Sequence, residues 1–228
     1  MCGIAGGLGN LQLNTLNLMI DVINHRGPDN ISTYSNGSLH FAHARLSIID
    51  VTEKSNQPIW DHSSRFCIIF NGEIYNYKKL RNELLIKGYI FQTDGDAEVI
   101  LNLYKLKGKD AFKELEGIFA LAIWDSENEE LVIARDKFGV KPLYYTQTKE
   151  GFFFSSEIKS LIQIPSVEKK IDLNVLHRTL VFLWNPGNNT LIRNIKKLGS
   201  ATYCSIQLSG EMKSNCYWKY PHYSPDND

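Results

Sequence analysis

Short apolar runs, most of them closed by Gly, Asn, Asp or Ser, recur at 2–8, 65–70, 117–124, 130–135, 142–146 and 151–155, and a looser alternating run spans 39–51. Such runs read as strands, and several in near succession read as hairpins. Helical spacing is confined to fewer segments. Leu13, Leu16, Met19, Ile20 and Ile23 mark one over 11–24, and Leu80, Leu84 and Leu85 mark another over 77–87 with Gly88 as its stop. Val99, Ile100, Leu103 and Leu106 predict a helix over 96–107, and shorter helices follow at 110–116, 157–163 and 172–183. After a loop at 185–189, a last hairpin joins 202–208 to 213–218. Strands dominate without strict β-α-β alternation, which predicts an α+β fold with antiparallel sheets packed face to face. Gly6-Gly7-Leu8-Gly9 lacks the G-x-G-x-x-G spacing and offers no dinucleotide site.

Charge and hydropathy narrow the partners. Lys+Arg 25 against Asp+Glu 25 leaves none of the basic surplus that follows phosphates, so no nucleic-acid partner is expected. The longest apolar stretch, 118–124, falls well short of the ~20 residues that cross a bilayer, so no membrane association is expected either. No basic residue precedes the first apolar run and no A-x-A cleavage site follows it, which reads as a cytoplasmic chain without a signal peptide. The cysteines at 2, 67, 204 and 216 form no C-x-x-C, and the last three read as reduced structural thiols. His40 and His43, three apart on a strand, face opposite ways and make a poor metal pair. No metal is assigned.

Cys2 stands apart because it follows the initiator methionine. Removal of Met1 would leave a cysteine whose own α-amine, titrating near ~7.7–8.0, lies within reach of its thiol. One residue then supplies both nucleophile and base. By position alone, Cys2 also reads as a small apolar residue that starts a strand.

Six segments in order decide how this cysteine is read. They are Met1-Cys2-Gly3-Ile4-Ala5-Gly6, His25-Arg26-Gly27-Pro28-Asp29, 42–50 (Ala-His-Ala-Arg-Leu-Ser-Ile-Ile-Asp), 70–76 (Phe-Asn-Gly-Glu-Ile-Tyr-Asn), 95–100 (Gly-Asp-Ala-Glu-Val-Ile) and 134–145 (Ala-Arg-Asp-Lys-Phe-Gly-Val-Lys-Pro-Leu-Tyr-Tyr). Together they resemble the N-terminal glutaminase domain of glutamine-hydrolysing asparagine synthetases, a class II glutamine amidotransferase. The resemblance covers 2–218, with 219–228 left as a polar tail or the start of a linker.

The resemblance implies a four-layer αββα sandwich of the N-terminal nucleophile hydrolase type. It implies that Cys2 attacks the carboxamide of L-glutamine, releasing ammonia and then glutamate, with no cofactor. Asn71 and Gly72 would form the oxyanion hole, although Asn-Gly between apolar runs is also a hairpin-turn signal. Arg45 would clamp the substrate α-carboxylate; its plainer reading is a surface strand arginine. Glu73 and Asp96 would hold the α-ammonium group, while Asp96 also stands where a helix N-cap could. Leu46, Ser47, Ile48 and Ile49 would line the pocket through their backbone, some of them doubling as core strand. Asp136 and Lys141 read as parts of a structural turn.

The synthetase signature Ser-Gly-Gly-x-Asp-Ser is absent, and 197–202 (Lys-Leu-Gly-Ser-Ala-Thr) stands where many relatives have a Pro-Pro-Gly turn. ATP and Mg would belong to that absent domain, so the expected partner is a synthetase domain or subunit that accepts ammonia. The other readings are a non-catalytic glutamine-binding module and a partner-docking module derived from the same domain.

Overall fold

Residues 1–221, those described by a computed structural model, contain twelve strands and six α-helices. One sheet runs β10 (Ile195–Lys197), β8 (Tyr144–Thr148), β9 (Gly151–Ser155), β1 (Gly3–Gly9), β3 (Leu39–Arg45), β2 (Asn30–Asn36). The other runs β12 (Met212–Cys216), β11 (Thr202–Gln207), β7 (Glu130–Arg135), β6 (Gly117–Asp125), β5 (Phe66–Ile74), β4 (Ile59–Trp60). Every pairing is antiparallel. Helices α1 (Leu13–Asp21) and α5 (Ile158–Leu161) cover the first sheet, and α2 (Tyr77–Ile86), α3 (Asp96–Lys107) and α4 (Ala111–Glu114) cover the second. The sixth helix, α6 (Leu173–Phe182), buries Val175 alone.

Two-residue alternation builds the layers. Ile4, Phe41, Phe152 and Phe154 meet Cys67, Ile69, Ala122 and Ile133 between the sheets. Their strand neighbours Ala5, Ala42 and Phe153 turn outward under Leu16, Met19 and Ile20 of α1. On the far side, Ile68, Phe70 and Leu121 pack beneath Leu84, Val99 and Leu103. Both faces of each central strand are covered, so those strands read as unbroken apolar runs, as buried strands do. This is the four-layer αββα sandwich.

Several local expectations are corrected. Asn71-Gly72 makes no turn: β5 continues through it, pairing Asn71 with Ala120 and Gly72 with Phe119. Nine consecutive pairs along β6 outweigh the local turn preference. The alternating run 39–51 stops being strand at Arg45, and Leu46, Ser47, Ile48 and Ile49 form a loop in which Ile48 and Ile49 are exposed. Strands β2, β4 and β10 lie where none was expected. All four cysteines are free, Cys67 and Cys204 buried and Cys216 exposed. Of the expected tail at 219–228, residues 222–228 lie outside the described residues.

Candidate active site

Cys2 immediately precedes β1, and the start of that strand is tied down on both sides. Ile4 N–H donates to Ser156 Oγ (3.0 Å), and Ser156 N–H returns a bond to Ile4 O (2.8 Å). Arg26 Nε donates to the carbonyl of Cys2 (3.0 Å), and its Nη1 pairs with Glu157 Oε1 at 2.8 Å. The turn that delivers Arg26 passes so close to β3 that a Cβ on Gly27 would lie 2.3 Å from Ala44 O. The Cys2 sulfur sits against the backbone of Leu46, donating to its carbonyl (3.6 Å) and accepting from its N–H (3.4 Å). Burial pushes this thiol up, while the Leu46 N–H, the chain's amino terminus and the Arg45 guanidinium draw it back down.

The edge of β5 faces the same cleft. Phe119 spends its N–H and its carbonyl on Asp136 (3.2 and 2.8 Å), so it exchanges no hydrogen bonds with Gly72 across the ladder. In an antiparallel pair of that kind, the N–H of Gly72 points to the other edge of its strand. There β4 has already ended, since it pairs with Cys67 and Ile68 only. The neighbouring N–H groups of the same parity confirm the direction: Phe70 N–H donates to Gln57 Oε1 (2.5 Å) and Ile74 N–H to Asp96 Oδ2 (3.0 Å). Between them, Gly72 N–H opens into the cleft. A side chain there is excluded, because a Cβ would stand 2.1 Å from Ile118 O. Asn71 shares the parity of Cys67 and Ile69, is 1% exposed, and neither Nδ2 nor Oδ1 of its amide has a hydrogen-bond partner. Burying such a group unpaired costs about 1–3 kcal/mol, an outlay that ordinary packing does not require.

Arg45 ends β3 and is buried, so it is no surface arginine. Its Nη1 donates to Thr52 O (2.8 Å) and Asn56 Oδ1 (2.7 Å), and its Nη2 donates to Asp50 O. The guanidinium therefore holds the 46–56 loop closed over the cleft. Asp50 fastens the loop from the other side, accepting from Ser55 Oγ (2.6 Å) and from Asp94 N–H (2.9 Å).

Glu73 and Asp96 close the far end. Asp96 is the first residue of α3 rather than its cap, which is Gly95. Burial and the nearby charge of Glu73 push its carboxyl up to about 6 from an ordinary 3.8, against the pull of the Ile74 N–H. Between those two values the folded chain keeps a proton that the unfolded chain releases, so stability falls as pH rises through that window. Above it, the ionised carboxylate costs up to about 3 kcal/mol. Asp96→Asn retains the acceptor oxygen for Ile74 N–H. It should stabilise the protein against urea by about 2–3 kcal/mol near pH 7.5 and by nothing near pH 3.5, unfolding curves at the two pH values being the measurement. Equal stability of both proteins near pH 7.5 would show that the carboxylate is not strained.

Cys2, Arg45, Leu46, Asn71, Gly72, Glu73 and Asp96 line one cleft, with Ile48 and Ile49 at its rim. Ser47 does not line it; its N–H turns away to Asp29 Oδ2 (2.8 Å). Ser55, Gln57 and Ile59 also line it and lie in none of the six segments, whereas Asp50, Gly95, Ala97 and Lys141 lie within the 42–50, 95–100 and 134–145 segments but carry no site role there. Among the described residues no group of three or more His, Cys, Asp or Glu side chains is placed to hold a metal ion. No helix among them is long and apolar enough to cross a membrane.

Known proteins resemble this chain in sequence and in fold. A family model described as a glutamine amidotransferase domain matches residues 1–218. The chain is 38% identical over 226 residues to asparagine synthetase [glutamine-hydrolyzing] 1 of Bacillus subtilis, covering 96% of this chain and 35% of the relative. It is 33% identical over 254 residues to the putative asparagine synthetase [glutamine-hydrolyzing] 2 of Methanocaldococcus jannaschii, covering 100% and 48%. The chain thus spans between a third and a half of these two relatives' lengths. Among solved structures, the glutamine phosphoribosylpyrophosphate amidotransferase of B. subtilis superposes with a TM-score of 0.69 at 19% identity, covering 96% of this chain and 50% of that one. An allosteric regulatory enzyme of purine biosynthesis gives 0.71 at 18% identity, with the same coverage. At those identities the likeness concerns the fold.

Proposed function

This chain belongs to the glutamine amidotransferase domain family, and we propose that it hydrolyses L-glutamine to L-glutamate and ammonia with Cys2 as nucleophile. The observation that carries the proposal is the pair of unspent donors beside the thiol, the buried Asn71 amide and the Gly72 N–H at the open edge of β5.

With Met1 removed, the α-amine of Cys2 takes the thiol proton as sulfur attacks the carboxamide carbon. The carbonyl oxygen gathers negative charge where Asn71 Nδ2–H and Gly72 N–H are already aimed, so little reorganisation is needed at that moment. The α-ammonium then protonates the leaving nitrogen, and ammonia departs from a γ-glutamyl thioester. Water, deprotonated by the same amine, attacks the thioester to release glutamate and restore the thiol. No cofactor enters these steps. The free N–H groups of Arg45 receive the α-carboxylate of glutamine, and the Glu73–Asp96 pair receives its α-ammonium. Burial first and the Glu73 charge second raise Asp96, and a bound cation there offsets the second of these. The loop 46–49 closes the pocket by its backbone, with Leu46, Ile48 and Ile49 at the cleft and Ser47 serving to anchor the turn.

The released ammonia passes to an acceptor. Relatives named for asparagine synthesis are longer than this chain, which supports an asparagine synthetase domain or subunit, with its own ATP and Mg requirement, as that acceptor. Residues 2–218 form the glutaminase unit in this reading, and 219–228 lead out of it.

The test is glutamate release from glutamine by the purified protein, with intact mass recorded on the same sample. Release from chains lacking Met1 is the expected result. Chains with a free Cys2 that release none would overturn the glutaminase assignment.

A further inference from the structure

Lys141 is buried to 6% exposure, yet it lines the cleft beside Cys2 and forms no ion pair among the described residues. Its Nζ lies 2.9 Å from the Sδ of Met1, a poor acceptor for an ammonium group.

The backbone beneath it is built with unusual rigidity. Asp136, fully buried, accepts from the N–H groups of Phe138 (3.0 Å), Val140 (2.9 Å) and Lys141 (3.0 Å). Arg135 donates Nε to Lys141 O (2.6 Å), Nη1 to Leu198 O (2.6 Å) and Nη2 to Gly139 O. Gly139 has φ +68°, and a Cβ there would press on the guanidinium at 3.0 Å. A turn that only reversed the chain would not need a buried aspartate and a buried arginine folded around it, nor end on a lysine aimed into a cleft.

We propose that Lys141 activates Cys2 electrostatically: its ammonium, fixed by the Arg135–Asp136 turn, favours the thiolate over the thiol and the free α-amine over the protonated one. The inference rests on Cys2 being the nucleophile. The charges that face Lys141 come from several elements: Glu73 on β5, Asp136 in its own turn, Arg26 before β2, and Cys2 itself. Around Cys2 stand Arg45 from β3 and Asp96 from α3. Burial draws the lysine down while Glu73, Cys2 and Asp136 raise it again, so the carboxylates help to keep it charged. A nearby cation lowers the pKa of a thiol and of an ammonium alike, and both shifts supply the reactive forms.

Iodoacetamide labelling of the processed protein between about pH 5 and 10 tests this, read by mass spectrometry on the N-terminal peptide with exposed Cys216 as internal reference. Lys141→Met should move the Cys2 alkylation midpoint up by about one pH unit, which below the midpoint is about a tenfold slower reaction. Lys141→Arg should return it to the wild-type position, and Cys216 should not respond. Removing an unpaired buried ammonium should leave the melting temperature unchanged or raised; should Lys141→Met not fold, Lys141→Gln carries the same expectation. Superimposed Cys2 profiles, or an arginine variant that behaves like the methionine one, would overturn the proposal. Because alkylation needs no glutamine, a shifted profile in a protein that releases no glutamate would uphold Lys141 and sink only the glutaminase reading.

Discussion

Cys2→Ala should take glutamine hydrolysis to solution background, a loss of roughly 10⁴-fold or more, because the Ser55 hydroxyl is spent on Asp50 and Lys141 is held as an ammonium, so neither replaces the thiol as nucleophile. Glutamine should still bind, since the contacts proposed for its α-carboxylate and α-ammonium involve Arg45, Glu73 and Asp96, none of which relies on the sulfur. Titration calorimetry of the variant with glutamine, run beside a glutamate-release assay, separates the two effects. The fold should survive as well. The Cys2 carbonyl, not its side chain, accepts from Arg26, and the sulfur's hydrogen bonds run to the backbone of Leu46. A variant that kept even a hundredth of wild-type turnover would remove the thiol from the mechanism.

Asn71→Ala should lower kcat by about 10²–10³ while KM changes little, because the amide is reserved for charge that develops only in the transition state. The companion measurement is thermal unfolding. Most buried polar side chains repay truncation with a large loss of stability, but this amide makes no hydrogen bond to lose. Asn71→Ala should therefore be nearly as stable as wild type and far less active. The opposite pattern, a stability loss with kcat intact, would make Asn71 a packing residue and leave Gly72 N–H as the sole donor.

The sequence displayed most of the sandwich because its central strands are covered on both faces and so stand out as continuous apolar runs. Gly117–Asp125, Glu130–Arg135, Gly151–Ser155 and the 66–70 part of β5 stand out for that reason, and the helix Asp96–Lys107 stands out by its spacing. Edge strands carried no such mark. Asn30–Asn36 is polar and half exposed, and Ile59–Trp60 and Ile195–Lys197 are too short to show a period. The residues gathered into the cleft could be named from the six motifs, but their surroundings could not. Nothing local says that Arg45 is buried and spends donors on its own following loop. Nothing local says that Asn71-Gly72 is held straight rather than turned, since pairing with Ala120 and Phe119 of β6 decides that from 49 and 47 positions away. Lys141 reads from the sequence as part of a structural turn, because a lysine in a Gly- and Pro-containing segment gives no sign of the cleft until that turn is seen from inside.

The placement of β1 has a consequence for how the chain is made. Residues 3–9 form an inner strand of a sheet whose two flanking partners are residues 39–45 and 151–155. During synthesis the early partner follows about 30 residues behind β1, whereas the late one follows only about 140 residues behind it. Until the late partner emerges, β1 is the edge of a half-built sheet. Pairing on the two sides of β1 is thereby ordered in time, and the cleft at its start is completed by the later event.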